Sequence, residues 1–179
     1  MSRFIALLAV VILVAGCGPK KPPPPDMAKE KAAVETAINN FLKAYETKDW
    51  DAMNKLLAQS GESMWFGTDS AEVIKGRDGW AEQTKNDWQL FESVKMGSVQ
   101  NLSMHMDHDA QLASAIFEVP ADVMVGGQQS HMLLRFAPTL TKENGEWRFV
   151  QGVVALATSG QSSAEMVAKM HSMKEMKKK

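Results

Sequence analysis

Apolar residues follow two different spacings along this chain, and the change falls near residue 92. Val34, Ile38, Phe41 and Tyr45 stand at i, i+4, i+7 and i+11, with Ala37 and Leu42 flanking them, so a helix with one buried face is predicted from Met27 onward. Lys48-Asp49 breaks that pattern. Asp49 is placed to cap a second, short helix carrying Met53, Leu56 and Leu57, which Ser60-Gly61 ends. Met64–Phe66 then reads as a strand, Gly67-Thr68-Asp69 as a tight turn, and the residues up to Gly76 as a connector. A third helix, capped by Asp78 and running to about Glu92, carries Trp80, Thr84, Trp88 and Phe91 on one side.

Behind it the pattern alternates. Residues 94–107, 111–119, 129–141 and 146–158 read as strands separated by His108-Asp109, Gly126-Gly127 and Asn144-Gly145. Asn-Gly is the strongest of these signals, because both residues tolerate the positive φ that a type I′ hairpin turn demands. Neighbouring strands joined by short turns make an antiparallel meander. Helices in front and strands behind give an α+β domain, over residues 27–160, with helices covering one face of the sheet. Residues 161–179 form an amphipathic tail helix: Ser162 and Glu165 match a capping box, Met166, Met170 and Met173 share a face, and lysines sit at the end. Such a stripe is expected to pack across its own domain.

The first sixteen residues follow neither pattern. Arg3 precedes an unbroken apolar run over residues 4–14, shorter than the roughly 20 residues a spanning helix needs. The run ends in Leu13-Val14-Ala15-Gly16-Cys17, which resembles a bacterial lipobox and makes 1–16 a lipoprotein signal peptide with Cys17 the lipidated residue. Gly18, in place of the aspartate that signals inner-membrane retention, implies an outer-membrane lipoprotein. Residues 17–26, with prolines at 22–25, read as a polyproline II stalk of roughly 25 Å. The membrane, reached through the acyl chains, is thus an expected partner.

Composition narrows the rest. With 45% hydrophobic and 23% charged residues, the 179-residue chain has room for one ordinary domain. Its formal net charge is −1, and the only basic cluster is the terminal one, so no nucleic-acid face is expected. The single cysteine excludes an intramolecular disulfide. No cofactor is expected.

Several stretches are familiar in combination. The Phe41–Tyr45 helix, Asp49-Trp50-Asp51, Phe66-Gly67-Thr68-Asp69, Glu72, Gly76-Arg77 and Asn144-Gly145-Glu146-Trp147-Arg148-Phe149-Val150-Gln151 resemble, in order and spacing, the SnoaL-like group of the nuclear-transport-factor-two-like superfamily. The resemblance implies a cone: a strongly bent sheet wrapped around the first helix, an apolar pocket inside, and dimerisation through the sheet. The superfamily holds ketosteroid isomerase, cyclases and dehydratases beside non-enzymatic modules, so fold does not decide function. Aligned on Asp49-Trp50-Asp51, Phe41 takes the place of the isomerase's oxyanion tyrosine and Phe66 that of its general-base aspartate. Neither side chain transfers a proton. On the last strand Gln151 is kept, while Val153 and Ala155 replace the polar residues of many relatives; alternation puts 147, 149, 151, 153 and 155 on one face.

Other clusters are weaker. Met104-His105-Met106-Asp107-His108 has copper-binding residue types, but Leu102, Met104 and Met106 serve equally as core filler beside solvated histidines, and no metal site is assigned. His105 and Asp107 share a face as a base and its orienter would. Asp69 and Glu72 either meet a ligand at the pocket rim or stabilise a turn. Arg135 in an apolar strand is an ion-pair member or a ligand clamp. The pocket expected on these grounds involves Phe41, Tyr45, Trp65, Phe66, Asp69, Glu72, His105, Arg135, Gln151 and Val153, with Gln151, His105 or Arg135 fixing a carbonyl or carboxylate. A membrane-anchored, non-catalytic module for a small apolar ligand follows. The alternatives are an isomerase, cyclase or dehydratase on a hydrophobic substrate, and a structural envelope protein binding through its sheet.

Overall fold

A computed structural model describes residues 23–59 and 62–176. The signal peptide, Cys17, most of the stalk, Ser60-Gly61 and the last lysines lie outside the described residues. Asp26 opens the domain by capping α1 (Met27–Glu46), its carboxylate accepting from the Ala28 and Lys29 amides at 3.1 Å each. The stripe expected on this helix is the buried one, from Val34 to Phe41 and Leu42. Asp49 caps α2 (Trp50–Leu56) through the Ala52 amide at 2.9 Å.

The third helix departs from its expected start. α3 (Gly76–Leu90) begins at Gly76, and its N-cap, Lys75, makes no side-chain cap bond. Asp78 is therefore not the cap; it lies in the first turn, where its charge still faces the positive helix end. The connector before it contains a strand that pattern reading missed, because three residues are too few to show a period.

Among the described residues eight strands form one curved sheet: β1 (Met64–Phe66), β2 (Val73–Lys75), β3 (Ser93–Met96), β4 (Gln100–Met106), β5 (Leu112–Val125), β6 (Gln128–Phe136), β7 (Thr139–Glu143) and β8 (Glu146–Leu156). The order is β2-β1-β8-β6-β5-β3, with β4 on β5 and β7 joined to β5 and β8. Its pairs are antiparallel except β1–β8, which is parallel, so the sheet is mixed where a meander was expected. Two expected strands are each broken in two. Between β3 and β4, Gly97 passes so close to β5 that a Cβ would stand 3.1 Å from the Pro120 carbonyl oxygen. Between β6 and β7, Pro138 has no N–H to continue a ladder. β5 runs past both breaks, pairing with β3 and β4 on one side and with β6 and β7 on the other. Asn144 and Gly145 adopt φ of 53° and 83°, the I′ turn anticipated.

The concave face holds the core. Ala113, Ala115, Phe117, Val119, Ala121 and Val123 alternate inward along β5. Trp147 and Phe149 do so on β8, and Phe41, Trp65, Trp80 and Phe149 pack ring against ring. Here the alternation expected for 147–155 fails. Leu140 pairs with Phe149 and Thr139 with Gln151, so Val150 is an extra residue on β8. That bulge inverts the facing: Phe149 points in, Gln151 and Val153 point out, and Val154 points in.

At the far end the capping box forms. The Ser162 amide donates to Glu165 Oε2 at 3.0 Å and the Glu165 amide to Ser162 Oγ at 3.3 Å, starting α4 (Ser163–Met176). Through residue 170 the side chains of α4 are exposed, Met166, Val167 and Met170 among them, so the expected packing of this stripe on its own domain is not found. Among the described residues no helix is long and apolar enough to cross a membrane.

Candidate functional site

A cavity of about 140 Å³ lies between α1, α3 and the concave sheet. Its walls are apolar: Phe41 and Leu42 from α1, Trp80 and Phe91 from α3 and its end, Ala121 and Val123 from β5, Leu134 and Phe136 from β6, and Val154 from β8. An engineered cavity of about 150 Å³ holds one benzene, so the space suits a single ring or a short chain.

Polar groups enter from one side. Trp80, Gln83 and Asp87 lie at i, i+3 and i+7 on one face of α3. Tyr45 Oη donates to Asp87 Oδ2 at 2.7 Å, and Gln83 Nε2 donates to Asp87 Oδ1 at 2.9 Å. The same Gln83 amide reaches Glu72 Oε1 at 3.4 Å. Glu72 is fixed in turn by the Asp69 amide at 3.0 Å and the Thr68 hydroxyl at 3.3 Å, both on Oε2. Gly67 is required beneath it, because a Cβ there would overlap the Glu72 carboxylate. Burial raises the carboxyl pKa of Asp87 and nearby Glu72 adds to that, while the bonds from Tyr45 and Gln83 partly offset it. Burial, then the adjacent Asp87, push the Tyr45 phenol upward, so it stays a neutral donor. Trp80 is 5% exposed, and its indole N–H has no acceptor among the described residues.

Of the residues expected to form a pocket, the structure brings together Phe41, Tyr45 and Glu72. Trp65 is a core residue beneath them, stacked at 6.2 Å on Phe41 and not in the lining. Phe66 and Val153 face outward as a cross-strand pair, and Gln151 is exposed one step along. Asp69 is a turn former, accepting from the Ala71 amide at 2.8 Å. His105 is exposed on β4, while Leu102, Met104 and Met106 pack against the core. Asp107 is tied to the Gln111 and Leu112 amides, so it does not orient His105. Arg135 is exposed and pairs with Glu118 at 2.9 Å, which makes it an ion-pair member, not a clamp. Gln83 and Asp87 were missed. Their signal was two polar residues at i, i+4 set within the buried stripe of α3, whereas the apolar positions drew the reading to 80, 84, 88 and 91.

Residues 34–158 match the family model described as SnoaL-like domain. The chain belongs to this family. Among curated proteins none matches this SnoaL-like chain. Solved structures share its fold at low identity. A nuclear transport factor 2-like superfamily protein from Salmonella enterica serovar Typhimurium is 19% identical with a TM-score of 0.67, over 76% of this chain and 98% of that one. A hexachlorocyclohexane dehydrochlorinase from Novosphingobium barchaimii is 15% identical with a TM-score of 0.65, over 74% and 90%. A ketosteroid isomerase-like protein from Erwinia carotovora is 16% identical with a TM-score of 0.61, over 73% and 98%.

The polar side chains lining the cavity of this SnoaL-like domain offer proton acceptance at Asp87 and Glu72 and hydrogen-bond donation from Tyr45 and Gln83. Among the described residues no group of three or more His, Cys, Asp or Glu side chains is placed to hold a metal.

Proposed function

We propose that this protein is a membrane-anchored SnoaL-like module that binds a small, mostly apolar molecule in its cone. The observation that carries the reading is the cavity itself: apolar walls from α1, α3 and five strands, with polar groups confined to one side. Anchoring rests on the lipobox-like residues before Cys17, which makes the outer membrane the proposed location. A homodimer is proposed through the convex sheet, where Phe66, Val73 and Val153 form an exposed apolar patch on adjacent strands.

A one-ring ligand of eight non-hydrogen atoms, at about 0.5–0.7 kcal/mol per atom, binds with a Kd of roughly 1 mM to 80 µM. Calorimetric titration of the full-length protein with benzyl alcohol should show one saturable site and a negative heat-capacity change. No saturable heat at tens of millimolar (about ten times the weakest Kd in that range) would remove the reading. Cys17→Ala should abolish palmitate labelling; full labelling of that variant would refute the anchor.

A second reading, an isomerase, cyclase or dehydratase on a small hydrophobic substrate, is favoured by one observation: the raised, partly buried Asp87 held by Tyr45. Turnover lost in Asp87→Asn with substrate still bound would favour it over plain binding.

A further inference from the structure

We propose that the cavity selects a protonated amine: a single ring or short alkyl body against the aromatic walls, with its ammonium held at Asp87 and Glu72. The proposal rests on the ligand-binding reading above and narrows it to a chemical class. A bound carboxylate or carbonyl was the expectation when Gln151, His105 and Arg135 were placed at the pocket, but all three are exposed elsewhere. The side chains that do line it include two carboxylates and, among the described residues, none that is basic. An anionic ligand would meet like charges in an apolar space. An ammonium would meet opposite ones.

The geometry suits that cation. Gln83 Nε2 reaches both carboxylates, at 2.9 Å to Asp87 and 3.4 Å to Glu72, so the two lie close enough together for one group with several N–H donors to bond both. Phe41, Tyr45, Trp80 and Phe91 turn aromatic surface toward the same space, and ring faces attract cations. Asp87 has a neutral phenol and a neutral amide as its hydrogen-bond partners, so its charge lacks a counter-ion there. The unpaired indole N–H of Trp80, a residue of the wall, points to an occupant that carries an acceptor besides its ammonium, since an ammonium only donates and buried donors are nearly always satisfied.

Three probes of one shape and different charge test this on the full-length protein near pH 7: benzylamine, benzyl alcohol and benzoate. A charge-assisted bond contributes enough that benzylamine should bind about tenfold or more tightly than benzyl alcohol, with benzoate weakest. Asp87→Asn and, separately, Glu72→Gln should each lower benzylamine affinity, Asp87→Asn to about the level of the alcohol. Glu118→Gln, on the opposite face, should change none of the three. Benzyl alcohol binding as tightly as benzylamine would overturn the amine class while leaving the binding module standing. If none of the three binds, both fall together. Benzylamine affinity unchanged in both carboxylate variants would place the cation elsewhere and also overturn the proposal.

Discussion

Asp87 and Glu30 are two partly buried carboxylates with opposite electrostatic surroundings, and acid should separate them. Burial raises Asp87, so the folded state binds more protons than the unfolded chain, and stability falls as pH rises through the folded value. Its charge therefore costs stability at neutral pH, as residues kept for a ligand commonly do. Asp87→Asn should raise Tm near pH 7, because it removes that charge. The gain should vanish below the ordinary aspartate range; a lower Tm at pH 7 would contradict it. Glu30 is held below its usual range by bonds from Lys142 at 2.5 Å and the Trp147 indole at 2.9 Å. Its contribution is present above the unfolded value of 4.5 and lost as pH falls through the folded one. Glu30→Gln should lower Tm at neutral pH, by a margin that closes on acidification. Gly152 is a steric case: a Cβ would stand 2.6 Å from the Trp65 ring, which Phe41, Trp80 and Phe149 hold in place. Gly152→Ala should cost about 1–3 kcal/mol in denaturant titration, and a neutral result would show that Trp65 can move.

Elements were legible where period and caps agreed. The α1 stripe, the Asp49 cap, the Asn144-Gly145 turn and the Ser162 capping box all stood in the sequence, because each is local chemistry. What failed was non-local. β2 exists only because β1 pairs with it, and the β8 bulge exists only because β7 passes at a register one residue short. A period-2 reading cannot see that extra residue, so it sent Val153 inward and Val154 outward, the reverse of the structure. The tail erred differently: the helix was readable, its partner was not. With its described side chains exposed, α4 should be dispensable for folding. Ending the chain after Gly160 should move Tm by no more than about 2 °C, within the range of surface changes. A larger loss would mean that α4 packs on the domain.

At the scale of the molecule, the cone and its family were visible in the order of Asp49-Trp50-Asp51, Gly67-Thr68-Asp69 and Asn144–Gln151, and the structure and the family model agree with them. The site was half visible. Phe41, Tyr45 and Glu72 were anticipated, but Gln83 and Asp87 join them only through the packing of α3 on α1, forty-two residues apart in the Tyr45–Asp87 bond. The proposed dimer is tested at its convex face: Phe66→Glu should shift sedimentation of the full-length protein toward monomer, and an unchanged profile would remove that face from the proposal. The central claim is that the inside of the cone is a ligand site, and adjacent residues on β8 test it most directly. Saturation-transfer NMR with benzyl alcohol, run on Val153→Glu and Val154→Glu with folding checked by circular dichroism, compares a carboxylate outside the cone with one inside it. Transfer should persist in Val153→Glu and disappear in a folded Val154→Glu, because an unpaired carboxylate in an apolar wall is costly to bury and brings water with it. Transfer that survives in folded Val154→Glu, or is lost in Val153→Glu alone, would contradict the account.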